Sequence, residues 1–365
     1  MDRADPTAEP APPADAPPSA AVVAPPDADL AAADLRLLLP AVIDPEPLPP
    51  GAARLHLAGR AMGTTWAVDC AAPRSLDAER LRPGIEAVIA RVVAQMSPWE
   101  PESDLNRWGA APAGARLRLP ADLDCVLRDA IDIARASGGA FDPTAAPLVG
   151  LWGFGPGRRH DAPSFTPPTA ADLATARIGW RQLRIDADGR LGQPGGLALD
   201  LCGIAKGHAV DAVSDWLRGC GLAHHLVEIG GELRGAGMRP DAQPWWVELE
   251  RPDPACPMPP ARIALHGLAV ATSGDARRCW SQDGRRRSHT IDPRSRRPVE
   301  HDVASVTVIH PSCRRADGWA TALLVAGVDE GLALAARHGL AAIWIERLAD
   351  GWRETWSAAA RELLA

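Results

Sequence analysis

The 365-residue chain has no tyrosine, only three phenylalanines against 13 tryptophans, and a single lysine, Lys206, among its 39 basic residues. The familiar nucleotide and hydrolase signatures are missing as well. No GxxxxGK[ST] occurs, which excludes a P-loop, and neither HExxH nor GxSxG is present. Gly153-Phe-Gly155-Pro-Gly157 contains proline and opens no apolar helix, so it is not a dinucleotide fingerprint. The seven cysteines are scattered, odd in number and form no CxxC pair, which argues against a disulfide framework or a zinc site and for buried free thiols. No run approaches the roughly 18–20 apolar residues of a membrane helix, so no transmembrane segment is expected. Basic residues do not exceed acidic ones, 39 against 46 for a net charge of −7, which argues against a nucleic-acid partner. The N-terminus shows no charged-then-apolar signal, no twin arginine and no cysteine to lipidate, which gives a cytoplasmic expectation.

Apolar residues make up 46% of the chain and charged residues 23%, a globular balance. Residues 1–50 hold 13 prolines and 13 alanines, and the first aromatic residue is Trp66. Such a segment buries too little apolar surface to offset its ordering entropy, so it reads as a disordered tail. The domain is expected over residues 54–360. Arg54–Gly59 and Thr64–Cys70 read as strands around a turn at Ala61-Met62-Gly63. Leu81, Ile85, Val88, Ile89, Val92 and Met96 share one helix face, and Val126, Leu127, Ala130, Ile131 and Ala134 repeat the pattern before a stop at Gly138. Leu183–Ile185 reads as a strand entering a hairpin turn at Asp186–Gly189. Val210, Val213 and Leu217 mark a third helix. Strands are expected at His225–Ile229, Trp246–Leu249, Leu268–Thr272 and Ser305–Ile309, with one helix over Trp319–Val325 and another after Asp329. Helices and strands do not alternate strictly, which favours a mixed α+β fold over a Rossmann fold.

Four Gly-punctuated clusters carry the candidate chemistry. In Ala198–Val213 a short apolar strand brings Asp200, two glycines permit close backbone approach, and Lys206 opens a helix. An ammonium at a helix N-terminus suits an anion, although Asp200 also reads as a helix cap. Lys206 also reads as a surface lysine, but where every other basic side chain is arginine, the one remaining ammonium is expected to do something a planar guanidinium cannot. In Ser137–Gly155, Asp142-Pro143 is a turn after a capped helix. His289 and Asp292 lie three residues apart beside arginines 285, 286, 287, 294, 296 and 297, a spacing open to a base with its orienting carboxylate or to a solvated face. Asp317 and Thr321 are four apart, hence on one helix face, and their oxygens suit Mg²⁺; helix capping by Asp317 is the competing reading.

Taken in order, these clusters resemble the ApbE family of FAD:protein FMN transferases. The resemblance rests on Ala61-Met-Gly-Thr64, Met96-Ser-Pro-Trp99, Gly139-Ala-Phe-Asp-Pro143 and Leu199-Asp-Leu-x-Gly-Ile-Ala-Lys-Gly207 with Asp211. It continues through Ile229-Gly-Gly231, Ala271-Thr-Ser-Gly274, His289-x-Ile-Asp-Pro293 and Ala316-Asp-x-x-Ala-Thr321. It implies an α+β fold of mixed sheets and packed helices, related to the tunnelling fold, with FAD in a cleft between subdomains. It further implies Mg²⁺-dependent transfer of the FMN moiety of FAD to a Thr or Ser hydroxyl of a separate acceptor protein, with AMP leaving. On this resemblance Met62, Trp99, Ala140, Phe141, Asp142, Asp200, Lys206 and Ile291 contact FAD, while the Gly203 carbonyl, Asp317 and Thr321 hold the metal. Lys206, His289 and Asp292 are the expected catalytic group, His289 helping to deprotonate the acceptor and Asp292 positioning the loop. The alternatives are an FAD pyrophosphatase releasing FMN and AMP, or an FAD-binding protein without turnover. Trp99 and His208 stand where the family usually has Tyr, and Glu228 where Asn is usual.

Overall fold

The computed structural model describes residues 35–275, 279–282 and 285–365, and side chains other than those of residues 276–287. The first 34 residues of the Pro/Ala-rich segment and the side chains of Arg285, Arg286 and Arg287 lie outside the described residues.

The main elements are β1 (Arg36–Leu38), β2 (Ala52–Ala61), β3 (Thr64–Pro73), α1 (Arg82–Met96), α2 (Ala121–Ala136), α3 (Cys202–Gly219), β4 (His225–Ile229), β5 (Glu232–Ala236), β6 (Trp245–Glu248), β7 (Ala261–Leu265), β8 (Leu268–Gly274), β9 (Val303–His310), α4 (Cys313–His338), β10 (Ala341–Leu348) and β11 (Gly351–Trp356). One eight-stranded sheet runs β11-β10-β9-β8-β5-β4-β3-β2, every neighbouring pair antiparallel. A three-stranded sheet, β1-β7-β6, contains a parallel pair, β1 with β7. This is the mixed α+β architecture expected.

Period-2 alternation explains the layering. Val227, Ala269, Ala271, Val306, Val308, Ala342 and Trp344 point into the main core with α1, α2, α3 and α4. Their neighbours Leu226, Val270, Ile309 and Ile343 point the other way, into a second core with Trp245, Val247 and Ile263 of the small sheet. The large sheet is therefore covered on both faces, which is why β4, β5 and β9 are buried almost throughout. At the edge, β2 alternates buried Leu55 and Leu57 with exposed Arg54, His56 and Ala58.

The structure corrects the sequence reading in several places. The domain starts before Arg54: Arg36–Leu38 is a strand on β7, Leu38 is fully buried, and Arg36 pairs with Glu354 of β11. Its end also lies later, since Leu364 bridges back to Leu38. The expected strand at Leu183–Ile185 survives as one bridge, Ile185 to Leu191, because Arg190–Gly192 pairs instead with Arg116–Arg118. The two closing helices are one helix, α4, broken at Gly327, where φ 73 and ψ −172 are open only to glycine. By length and composition α4 could cross a membrane, with a mean hydropathy of 1.4 over its best window. It is a core helix here, its Ala316, Ala320 and Leu323 packed into the main core. Of the free cysteines, Cys70, Cys256 and Cys313 are buried as expected, but Cys125 and Cys220 are exposed.

Candidate active site

The site is built where α3 crosses α4. Asp200 accepts the Cys202 N–H at 2.8 Å, so its carboxylate sits at the start of α3. Gly203 then leaves helical geometry (φ −87, ψ 16). Its carbonyl oxygen lies 3.5 Å from the Thr321 hydroxyl, which in turn is 3.2 Å from the Ser273 hydroxyl on β8. A Cβ on Gly203 would stand 2.7 Å from Thr321 Oγ1, so glycine is what lets α3 and α4 come this close.

One turn before Thr321, the buried Asp317 carboxylate accepts the Gly207 N–H at 2.9 Å. The ammonium of Lys206 pairs with Glu232, the first residue of β5. Burial pushes the carboxyls of both Glu232 and Asp317 above their ordinary range, and the Lys206 charge opposes the shift in each. Two buried carboxyl groups thus face one ammonium, and Glu232 Oε2 has no hydrogen-bond partner among the described residues.

That donor set suits a hard divalent cation. Asp317, the Thr321 and Ser273 hydroxyls and the Gly203 carbonyl are all oxygen donors. Among the described residues no three His, Cys, Asp or Glu side chains gather as a metal cluster. Mg²⁺ needs none, because it takes one or two carboxylates, keeps several waters and shares substrate phosphates.

Three further groups surround this centre. Gly138 and Gly139 (φ 63 and 93) stop α2 and lead into the turn in which Asp142 accepts from the Thr144 N–H at 2.8 Å and its hydroxyl at 2.6 Å. Burial pushes the Asp142 carboxyl up. The Pro143 carbonyl accepts the Asp200 N–H at 2.8 Å, tying this turn to α3, while Ala140 and Phe141 are buried beside it. Met62 (φ 53) turns the β2–β3 hairpin and lines a cavity of about 490 Å³ with Arg60, Trp66, Glu86 and Glu100. Trp99, next to Glu100 in the chain, is 37% exposed.

The last group is the turn 289–298. The His289 ring lies edge-on to Phe154, centroids 6.2 Å apart. Ile291 packs with Leu148, Trp152 and Leu173. Asp292 Oδ1 accepts from the backbone N–H of Arg294 at 2.8 Å and from its Nε at 3.1 Å, and the same guanidinium reaches Glu330 of α4 at 2.8 Å. Asp292 is thus bonded within its own turn and, through Arg294, tied to α4.

The structure therefore brings Gly203, Lys206, Asp317 and Thr321 together, ties Asp142 to Asp200, and places Met62 at a separate cavity and Ile291 in a separate small core. Sequence reasoning missed Glu232 and Ser273; the signal for Glu232 is a carboxylate opening a strand directly after Gly230-Gly231. The unusual Glu228 has a local role, since its carboxylate accepts the Gly231 N–H at 2.8 Å and latches that turn. His208, in place of Tyr, sits buried with Nδ1 3.3 Å from the Arg314 guanidinium.

Comparison with known proteins bears on the same residues. The model of the ApbE family matches residues 62–344. The FAD:protein FMN transferase of Vibrio cholerae is 36% identical over 317 residues, covering 86% of this chain and 94% of that protein. The enzyme of the same name from Haemophilus influenzae is 34% identical over 322 residues, covering 85% and 91%. Among solved structures, the apo flavinyl transferase ApbE of Pseudomonas stutzeri superposes with a TM-score of 0.78 at 40% identity, covering 86% of this chain and 97% of that one. The Vibrio cholerae flavin transferase ApbE gives a TM-score of 0.78 at 34% identity, covering 86% and 100%.

Proposed function

The chain belongs to the ApbE family, and from that we propose that it transfers the FMN moiety of FAD to a Thr or Ser hydroxyl of an acceptor protein, releasing AMP. The observation that carries the reading is the meeting of the Asp317 carboxylate, the Thr321 hydroxyl and the Gly203 carbonyl across the α3–α4 crossing, with Lys206 one turn away.

The reaction joins the acceptor oxygen to the FMN phosphorus and breaks that phosphorus's bond to the AMP phosphate, which leaves with the electron pair. Attack on a diphosphate is disfavoured by its negative charge, so the protein must neutralise it and align the two oxygens. Asp317, Thr321 and the Gly203 carbonyl would hold Mg²⁺, which would supply positive charge at that diphosphate. Lys206 adds a cation, and the N-terminus of α3 the positive end of a helix dipole, for an anion. Met62, Trp99, Ala140, Phe141, Asp142, Asp200 and Ile291 bind and orient the rest of FAD, Trp99 offering a flat aromatic face. His289 takes the proton of the acceptor hydroxyl, and Asp292, through Arg294, holds its turn.

The test is incubation with FAD and Mg²⁺, with and without a Thr-bearing flavin-acceptor domain, following AMP by chromatography and covalent flavin by in-gel fluorescence. AMP together with a fluorescent acceptor band is expected. AMP without acceptor and without a band would make the protein a pyrophosphatase, and bound FAD with no AMP a flavin carrier.

A further inference from the structure

Glu232 is 2% exposed, and its two carboxylate oxygens have different surroundings. Oε1 pairs with the Lys206 ammonium, whose side chain is 31% exposed. Oε2 is buried with no hydrogen-bond partner among the described residues. A buried acceptor left unsatisfied is costly, and more so when charged. The arrangement is costlier still because the Asp317 carboxylate acts on Glu232 through the same buried space. Gln would keep the shape and an acceptor for Lys206 without that charge. A carboxylate here therefore makes sense only if its second oxygen meets positive charge when the site is loaded.

We infer that Glu232 is a positioning residue of the site: through Oε1 it holds the Lys206 ammonium, and through Oε2 it adds a second negative charge beside Asp317 for the divalent cation. The inference rests on the metal reading above. It adds a residue to the cation's surroundings and explains the lone lysine. A guanidinium is a broad planar fork, whereas an ammonium is a compact charge that can pair with one carboxylate oxygen and leave the other available.

The test is the midpoint of thermal unfolding of the full chain at fixed FAD, followed as Mg²⁺ is raised, for wild type, Glu232→Gln and Glu232→Asp. Gln is isosteric and Lys206 partly exposed, so this variant keeps the fold, which its midpoint without Mg²⁺ verifies. Glu232→Gln is expected to need about tenfold more Mg²⁺ for half of the stabilising shift, the size of effect one nearby charge exerts at a partly screened site. Glu232→Asp, which keeps the charge, should stay within about threefold of wild type. A Gln variant that titrates like wild type, or an Asp variant as impaired as Gln, overturns the inference while leaving the metal reading intact. A wild type whose midpoint ignores Mg²⁺ overturns both, and is a distinct result.

Discussion

Gly207 donates its backbone N–H to the carboxylate of Asp317 at 2.9 Å, and a Cβ on Gly207 would lie 2.4 Å from the carbonyl oxygen of Cys313. The glycine is therefore both a donor to the metal-site carboxylate and the clearance that lets α3 reach it. Replacing it forces two packed helices apart, because the obstacle is backbone and cannot swing away. Gly207→Ala should cost more than about 2 kcal/mol and weaken Mg²⁺-dependent FAD binding. Gly219→Ala, at the far end of α3 where a Cβ meets nothing within 4 Å, is the control. Thermal unfolding and flavin-fluorescence titration of both variants check this, and equal stabilities would refute it.

Asp211 ties the same two helices by a different device. Its carboxylate, on α3, accepts from the Ser312 hydroxyl at 2.8 Å and from the Cys313 and Arg314 N–H groups at 3.0 Å each, so it caps α4 from outside that helix. It also takes Arg234 from β5 at 2.9 Å. Asp211→Ala strips the Cys313 and Arg314 N–H groups of their acceptor and leaves Arg234 only the longer pair with Asp215 at 3.5 Å, a loss of about 2 kcal/mol. Asp317 lies a little over one turn further along α4, so FAD binding should fall as well. Urea unfolding gives the first quantity and fluorescence quenching of FAD the second.

These ties show what was legible in the sequence. Amphipathic spacing located α1 and α2, because one buried face writes a period into the chain, and short apolar runs located β3, β4, β8 and β9 while β2 alternates. Lys206, Asp317 and Thr321 could be singled out because each stood in a local pattern, a lone lysine or an i, i+4 oxygen pair. Glu232 and Ser273 could not be paired with them, since they arrive from β5 and β8 through sheet topology that no local spacing encodes. β1 stayed hidden for a related reason. Its three residues lie in a Pro/Ala-rich stretch and gain their order from β7 and Glu354, more than 200 residues away in sequence.

The buried His225 sets a pH dependence of stability. Its Nδ1 lies 2.8 Å from the Leu222 carbonyl and its Nε2 2.7 Å from the Ser214 hydroxyl, so the neutral ring is satisfied at both nitrogens. Burial pushes its pKa down to about 4. The unfolded chain, with an ordinary value of about 6.5, binds the proton more readily, so this contribution is full above pH 6.5 and is lost as pH falls toward 4. Between pH 7 and pH 5 it should remove about 2 kcal/mol. Urea unfolding at both pH values is the measurement, with His225→Asn expected to show a correspondingly smaller drop whatever its absolute stability. A variant with the same drop as wild type would assign the acid sensitivity to other groups, of which His208 and His310 are shifted in the same direction.

The turn that carries His289 is held from two sides, and the holds differ in strength. On one side Arg296, at φ 63, donates to the carbonyls of Leu173 and Ala176 at 2.6 and 3.0 Å, and its own carbonyl accepts Trp152 Nε1 at 3.0 Å. On the other, Arg294 links Asp292 to Glu330 of α4 near the surface. Exposed ion pairs contribute little to stability, so Arg294→Ala should leave the unfolding midpoint nearly unchanged. It should nevertheless lower transfer, because proton removal by His289 depends on reach, and a misplacement of about 1 Å can cost 10²-fold. FAD affinity should be retained, since Glu330 lies beyond the break in α4 at Gly327 and Asp317 well before it. Single-turnover transfer to an acceptor domain, measured beside FAD titration, separates the two effects. A fall in FAD affinity that matched the fall in rate would show Arg294 acting on cofactor binding, and the positioning role would be withdrawn.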